Sequence, residues 1–180
     1  MTDTVWKAGE AVEVAWTVKA FHGGGYGYRL APANGPLNEE TFGKNHLDFV
    51  GQSSFRWGGT GGEQLFFNGT YATEGTTPKG SMWAKVPVPG GPWGYVMHGA
   101  SFKPFCKESE ACTSAVDKKA GFMVCRCAGE GVGDIPTLEI VDQVRIPKDL
   151  PAGEWVISWR WDCEESTQVW NSCADVTIAH

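Results

Sequence analysis

The alternation of apolar and other residues with a period of two is the feature that most restricts the fold of this chain. Val12, Val14 and Trp16 are separated by single residues, and a later run places Trp155, Ile157, Trp159 and Trp161 at every second position. This spacing is typical of a half-buried β-strand, whose successive side chains point to opposite faces. No long segment has the 3.6-residue period of an amphipathic helix, so the pattern predicts an all-β fold.

Further short alternating segments predict the architecture. Tyr26, Tyr28 and Leu30 alternate after a glycine turn, and two more runs lie near the C-terminus, at residues 138–146 and 176–178. About seven short strands separated by glycine and proline favour a β-sandwich of the immunoglobulin or fibronectin-III type. We expect one domain over residues 1–180, in which residues 89–135 form a long insertion held by disulfides. Asn38 is a predicted N-cap of a short helix with acidic residues in its first turn.

The charge of the chain excludes some partners. The net charge is −6 at pH 7, and there is no basic cluster of the kind that neutralises phosphates, so no nucleic-acid partner is expected. A neutral polysaccharide is compatible with this charge. No apolar run is long enough for a transmembrane segment. Residues 1–20 alternate and contain no signal-peptide core, so upstream sequence would supply the secretion signal.

Six cysteines, an even number, predict a disulfide framework and a secreted protein or another oxidising compartment. Cys163 and Cys173 bracket a short loop, and their pairing would contribute about 2–3 kcal/mol by the loop-entropy argument. The remaining four are expected to pair among themselves, with zinc binding as the alternative: Cys106, Cys112, Cys125 and Cys127. One residue separates the last two, whereas structural zinc pairs usually have two to four.

The segment His-Gly-Gly-Gly-Tyr at residues 22–26 is the first candidate for function. The parity of the first long strand places His22 on the same face as the valines, at the strand end and beside a turn with little side-chain bulk. Two interpretations stay open for His22, a metal ligand and a histidine that hydrogen-bonds nearby backbone. His46 is expected at the surface.

Several longer motifs resemble a known family. The turn and strand at residues 146–157 and the Gln-Val-Trp-Asn-Ser-Cys segment at residues 168–173 resemble lytic polysaccharide monooxygenases and type-4 chitin-binding domains. Nearly the whole chain is similar to the algal and oomycete secreted members of this group, on the motifs at residues 4–9, 22–26, 28–30 and 159–165.

The resemblance implies a copper site and a polysaccharide substrate. His22 would be the second histidine of a copper brace, a choice consistent with the preference of copper for imidazole. Gln168 would orient the oxygen species, and Trp170 would take the axial position where relatives usually carry tyrosine or phenylalanine. The first brace histidine is N-terminal in the family, whereas this chain begins with Met1, so we expect a preceding segment to supply it. Aromatic rings that could stack on sugars are Tyr26, Tyr28, Phe55 and Trp57.

Three functions follow as hypotheses. The first is copper-dependent oxidative cleavage of glycosidic bonds in chitin, cellulose or another cell-wall glycan, if an N-terminal histidine is supplied. The second is a non-catalytic carbohydrate-binding or structural domain that has lost the brace. The third is a subunit of a larger assembly. Fold alone does not choose among these functions.

Overall fold

The computed structural model describes residues 4–17, 23–57, 59–87, 116–117, 122–123, 138–164 and 166–180. The all-β prediction is confirmed, because these residues form thirteen strands and one short helix. The strands are β1 Val5–Lys7, β2 Ala11–Trp16, β3 Gly25–Pro32, β4 Asp48–Phe49, β5 Ser53–Trp57, β6 Glu63–Phe67, β7 Tyr71–Ala72, β8 Trp83–Lys85, β9 Val116–Asp117, β10 Phe122–Met123, β11 Leu138–Arg145, β12 Gly153–Asp162 and β13 Val169–Ala179; the helix α1 is Glu39–Gly43.

Most strands belong to two sheets. The larger sheet has the order β1-β13-β12-β3-β8-β7, and the smaller has the order β2-β11-β5-β6, with β4 also paired to β11. All these pairings are antiparallel except that of β1 with β13. Strands β9 and β10 form a separate two-stranded ribbon.

The two sheets face each other across one aromatic-rich core. Val12, Val14 and Trp16 of β2 are buried, as their alternation predicts, and the ring of Trp16 lies 4.8 Å from that of Tyr26 in the opposite sheet. The alternating residues of β12 also lie in or against this core. The face of each sheet that points to the other is called its inner face below. Burial of these apolar surfaces makes the largest favourable contribution to the free energy of folding.

Helix α1 packs on the outer face of the larger sheet. The side chain of Asn38 accepts a hydrogen bond from the backbone N–H of Thr41, which confirms the predicted N-cap. Phe42 of the helix is buried against Ala31 and Val156 in a second, small apolar cluster. The helix therefore fixes the segment that follows it, including His46, against the outer face.

Two sequence-based expectations are wrong. Phe55, a candidate for stacking on sugars, lies in strand β5 and is fully buried between the two sheets, out of reach of any sugar. The pairing of Cys163 with Cys173 also fails, because Cys173 lies opposite Ser158 in the β12–β13 register. Five residues of strand separate the two cysteines by about 17 Å, whereas a disulfide needs Cα atoms within about 7 Å.

Other expectations fall outside the described residues. These include the four cysteines of the insertion, and all of residues 89–135 apart from the short ribbon. The pairing of these cysteines and the zinc alternative stay predictions. In the described ranges, no helix is long and apolar enough to cross a membrane.

Candidate functional site

The glycine turn before β3 is fixed at one end of the larger sheet. The indole Nε1 of Trp161 donates a hydrogen bond to the Gly23 carbonyl at 2.8 Å, and the N–H of Val86 donates to the Gly24 carbonyl at 3.1 Å. Gly24 has a φ of +81°, and a Cβ there would lie 2.0 Å from the carbonyl oxygen of Asp162. Only glycine fits this position, because both the backbone conformation and the space exclude a side chain.

The β12–β13 loop lies at the same end. The N–H of Cys163 donates to the Gln168 carbonyl at 3.1 Å and closes the loop, while Ser166 Oγ lies 3.1 Å from the side-chain oxygen of Gln168. Trp170 follows in β13, directly opposite Trp161, and its side chain is 49% exposed. The fold thus brings Gln168 and Trp170 to the end of the sheet that carries Gly23.

The structure describes only part of the functional site that the sequence predicts. Gly23 is the residue after His22 in the sequence, and Trp161 connects it to the strand pair that carries Trp170. His22 lies outside the described residues, as does the side chain of Trp57, whose backbone belongs to β5. The roles predicted for these two residues stay predictions.

The proposed sugar-stacking role of Tyr26 and Tyr28 is wrong. Both lie on the inner face of the larger sheet and are only 1% and 3% exposed. Their rings lie 6.1 Å apart and pack edge-on, and both also meet Phe49. A tyrosine buried between two sheets has no free face for a sugar ring.

The buried tyrosines lie beside a carboxyl group that sequence reasoning missed. The hydroxyl of Tyr26 donates to Asp142 Oδ2 at 2.9 Å, and the hydroxyl of Ser53 donates to Asp142 Oδ1 at 2.6 Å. Burial raises the pKa of Asp142 to about 6, although the hydrogen bonds from Ser53 and Tyr26 favour the charged form. The signal was an acidic residue at an apolar position of β11, between Ile140 and Val144. This cluster links the two sheets.

The outer face of the larger sheet carries a network of four charged residues. Arg29 Nη1 donates a hydrogen bond to Glu39 Oε2 at 2.6 Å, and Arg160 Nη1 donates to the same oxygen at 2.5 Å. Arg160 also forms a two-bond ion pair with Asp162, at 2.6 and 3.0 Å. Partial burial alone would raise the pKa of Glu39, but the hydrogen bonds and charges of Arg29 and Arg160 outweigh it and lower that pKa.

His46 lies on this outer face, where it is half-buried and not freely exposed as expected. The imidazole covers Gly27 so closely that a Cβ on that glycine would lie 2.8 Å from His46 Cε1, and its ring lies 5.3 Å from that of Trp83. Both ring nitrogens are buried and have no hydrogen-bond partner in the part of the chain that the structure describes. Burial, followed by the positive charge of Arg29, lowers the pKa of His46 to about 4.

We expect His46 to make the fold less stable in acid. Because its folded pKa of about 4 lies below the usual 6.5, the unfolded chain binds the proton first, so its stability contribution is lost as the pH falls through this window. After allowance for solvent screening of the partly exposed ring, this loss is about 2 kcal/mol. Urea unfolding of the wild type and of His46→Phe at pH values of about 7.5 and 4.5 measures it. A constant difference between the two proteins would contradict the assignment.

The described groups at the glycine turn do not by themselves fit copper. Around the turn they offer the carboxylate of Glu164, 3.4 Å from the Gly24 nitrogen, and the amide of Gln168, but no imidazole. No group of three or more metal-ligating side chains occurs among the described residues. Copper prefers nitrogen ligands, so a copper site here depends on His22 and on the N-terminal histidine expected from the family.

Comparison with known proteins does not assign a family. The sequence matches no protein-family model and no curated protein. The observations that bear on function are therefore the geometry of the described residues and the motif resemblance given above.

Proposed function

We propose that this chain is a polysaccharide-binding β-sandwich domain of the immunoglobulin or fibronectin-III type, related to lytic polysaccharide monooxygenases and type-4 chitin-binding domains. Its binding surface is the sheet end that carries the glycine turn, Gln168 and Trp170. One observation carries the proposal: Trp170 is half exposed on a strand paired with β12, at the sheet end where β12 also holds the glycine turn.

The position of Trp170 suits a sugar-binding platform. Its neighbour across the strand pair is Trp161, which is buried and anchored to Gly23 by a hydrogen bond. The exposed ring is therefore carried by backbone that is already ordered, and little further conformational entropy is lost on binding. An indole offers a large apolar face together with a polar edge, a combination that matches the apolar face and the hydroxyl rim of a sugar. A neutral polymer also avoids repulsion from the net charge of −6.

Trp170→Ala tests this proposal. We expect adsorption of the protein to at least one of insoluble chitin, cellulose and xylan, and a loss of affinity of about tenfold in the variant, because a buried aromatic contact contributes on the order of 1–1.5 kcal/mol. Binding isotherms with depletion of the free protein give the affinities. Phe66→Ala is the matched control, since Phe66 is 60% exposed on the other sheet. Equal affinities of the wild type and Trp170→Ala, or adsorption to none of the polymers, would contradict the proposal.

Copper-dependent oxidative cleavage is the second candidate function. The observation that favours it is the placement of Gly23, the residue after His22, at the sheet end that carries Gln168 and Trp170. When bound, copper would supply the redox chemistry that activates oxygen or peroxide. Within this proposal His22 would bind the metal, and Gln168 would orient a polar ligand beside it.

The mature N-terminus and a copper titration test the second candidate. Mass spectrometry of the native protein should show an N-terminal histidine, and electron paramagnetic resonance should show a type-2 copper signal that disappears in His22→Ala. A native start at Met1 or Thr2 would leave the site without the N-terminal imidazole and refute the copper site, while leaving polymer binding by Trp170 intact.

A further inference from the structure

We propose that the outer face of the larger sheet holds a second binding site, for a neutral, hydroxyl-rich ligand such as a single sugar unit. The site is a cavity of about 350 Å³ between the four-residue ion network, Trp83 and the segment Gly75–Pro78. Its size falls within the range of small-molecule sites. None of the residues that line it belongs to the surface around Trp170.

The charges that line the cavity balance. Two guanidinium groups, of Arg29 and Arg160, face two carboxylates, of Glu39 and Asp162. An anion would have to displace a carboxylate from its guanidinium, and a cation would meet two positive charges. A hydroxyl group both donates to carboxylates and accepts from guanidiniums, so a neutral polyol can bind without breaking either ion pair.

One residue that lines the cavity has a buried polar atom without a partner in the described part of the chain. Arg29 lines the cavity and is only 3% exposed. Its Nε has no hydrogen-bond partner among the residues that the structure describes. A buried polar group without a partner costs about 1–3 kcal/mol. A ligand that brings hydroxyl groups within reach would recover part of this cost.

Trp83 supplies an aromatic wall. Its Nε1 donates to Ser81 Oγ at 3.0 Å, which fixes the ring, and the guanidinium of Arg160 lies 5.9 Å from the ring centre. Thr76 and Thr77 add hydroxyl groups on the facing segment. An aromatic wall with donors and acceptors around it can hold a sugar ring by stacking and by hydrogen bonds together.

The first test is a ligand titration of the isotopically labelled full chain. It is monitored by the nuclear magnetic resonance signals of the indole N–H of Trp83 and the Nε–H of Arg160. The probes are chitotetraose, cellotetraose, xylotetraose and inorganic phosphate. We expect saturable shifts of both signals with at least one oligosaccharide at about millimolar concentration, and none with phosphate. Saturation by phosphate, or no saturable shift with any oligosaccharide, would overturn the proposal.

The second test changes the charge balance without changing the shape. In Glu39→Gln/Asp162→Asn the two guanidiniums lose their carboxylate partners. We expect an affinity for the oligosaccharide at least about fivefold weaker and a new affinity for phosphate. Glu154→Gln, on the same sheet but outside the cavity lining, is the charge control and should bind as the wild type does. A double variant with unchanged oligosaccharide affinity would refute the site.

Trp170→Ala separates the two proposals. If both hold, this variant loses adsorption to polymer and keeps the shifts of Trp83 and Arg160. Loss of the shifts in Trp170→Ala would show that the oligosaccharide binds at the sheet end instead, which would refute the outer-face site.

Discussion

Asp142→Ala is expected to lower the free energy of unfolding by about 4 kcal/mol at a pH of about 5. At this pH the carboxyl is largely protonated, because its pKa is about 6. The variant leaves the hydroxyls of Tyr26 and Ser53 buried without their acceptor, and each such loss costs about 1–3 kcal/mol. It also opens a small cavity at a position that is 1% exposed. Urea unfolding gives the value.

The pH dependence of the unfolding free energy distinguishes the effect of the charge on Asp142 from the effect of its hydrogen bonds. Because the folded pKa of about 6 lies above the usual value of 3.8 for an aspartate, the folded state keeps its proton to a higher pH than the unfolded chain does. The stability contribution of Asp142 is therefore complete below a pH of about 4 and is lost as the pH rises through 6, by about 3 kcal/mol. This direction is opposite to that of His46.

Asp142→Asn should remove this dependence, since asparagine keeps an oxygen acceptor and does not titrate. The exposed Asp149 provides the control variant Asp149→Asn. If the difference in unfolding free energy between the wild type and Asp142→Asn stays constant from a pH of about 4 to about 8, the assigned pKa of Asp142 is wrong.

Gly24→Ala is the second substitution with a large expected effect. A left-handed backbone costs a non-glycine residue about 1–2 kcal/mol, and the added Cβ would lie 2.0 Å from the backbone oxygen of Asp162. The turn must move, and its hydrogen bonds with Val86 and Trp161 weaken. We expect a loss of at least about 3 kcal/mol in the free energy of unfolding.

Gly80→Ala is the matched control for this experiment. Gly80 has the same φ of +81°, but a Cβ there would meet no atom within 4 Å. Its loss should be limited to the conformational cost of about 1–2 kcal/mol. If the two variants lose the same stability, the contact of the turn with β12 does not contribute. In Gly24→Ala we also expect weaker adsorption to polysaccharide, because Gly23 and Trp161 position the sheet end.

The sequence predicted the strands well because alternation reports directly on burial. The apolar residues of β2 and β12 lie on inner faces as expected, and Asn38 caps α1 as its type and position indicate. The register in which the strands pair was harder to predict from the sequence. The separation of Cys163 from Cys173 follows from how β12 pairs with β13, and the loop length between two cysteines carries no information on this pairing.

The roles of Tyr26, Asp142 and His46 could not be predicted from the sequence, because they too depend on contacts between distant segments. Tyrosine has an apolar ring and a polar tip, so its side chain suits both a core and a sugar-binding surface. Only the position of Asp142 in the facing sheet decides that the hydroxyl of Tyr26 points inward. His46 is covered by Trp83 from a strand far along the chain. Contacts between distant segments of this kind leave no mark on local periodicity.

Hydroxyl-radical footprinting of the protein adsorbed to its polymer tests the central claim most directly, because it reports on Trp170 itself in the bound state. We predict that the oxidation rate of Trp170 falls on binding, while that of the exposed Phe66 on the other sheet is unchanged. An unchanged oxidation rate of Trp170 in the adsorbed protein would contradict the proposal that this end of the sheet binds polysaccharide.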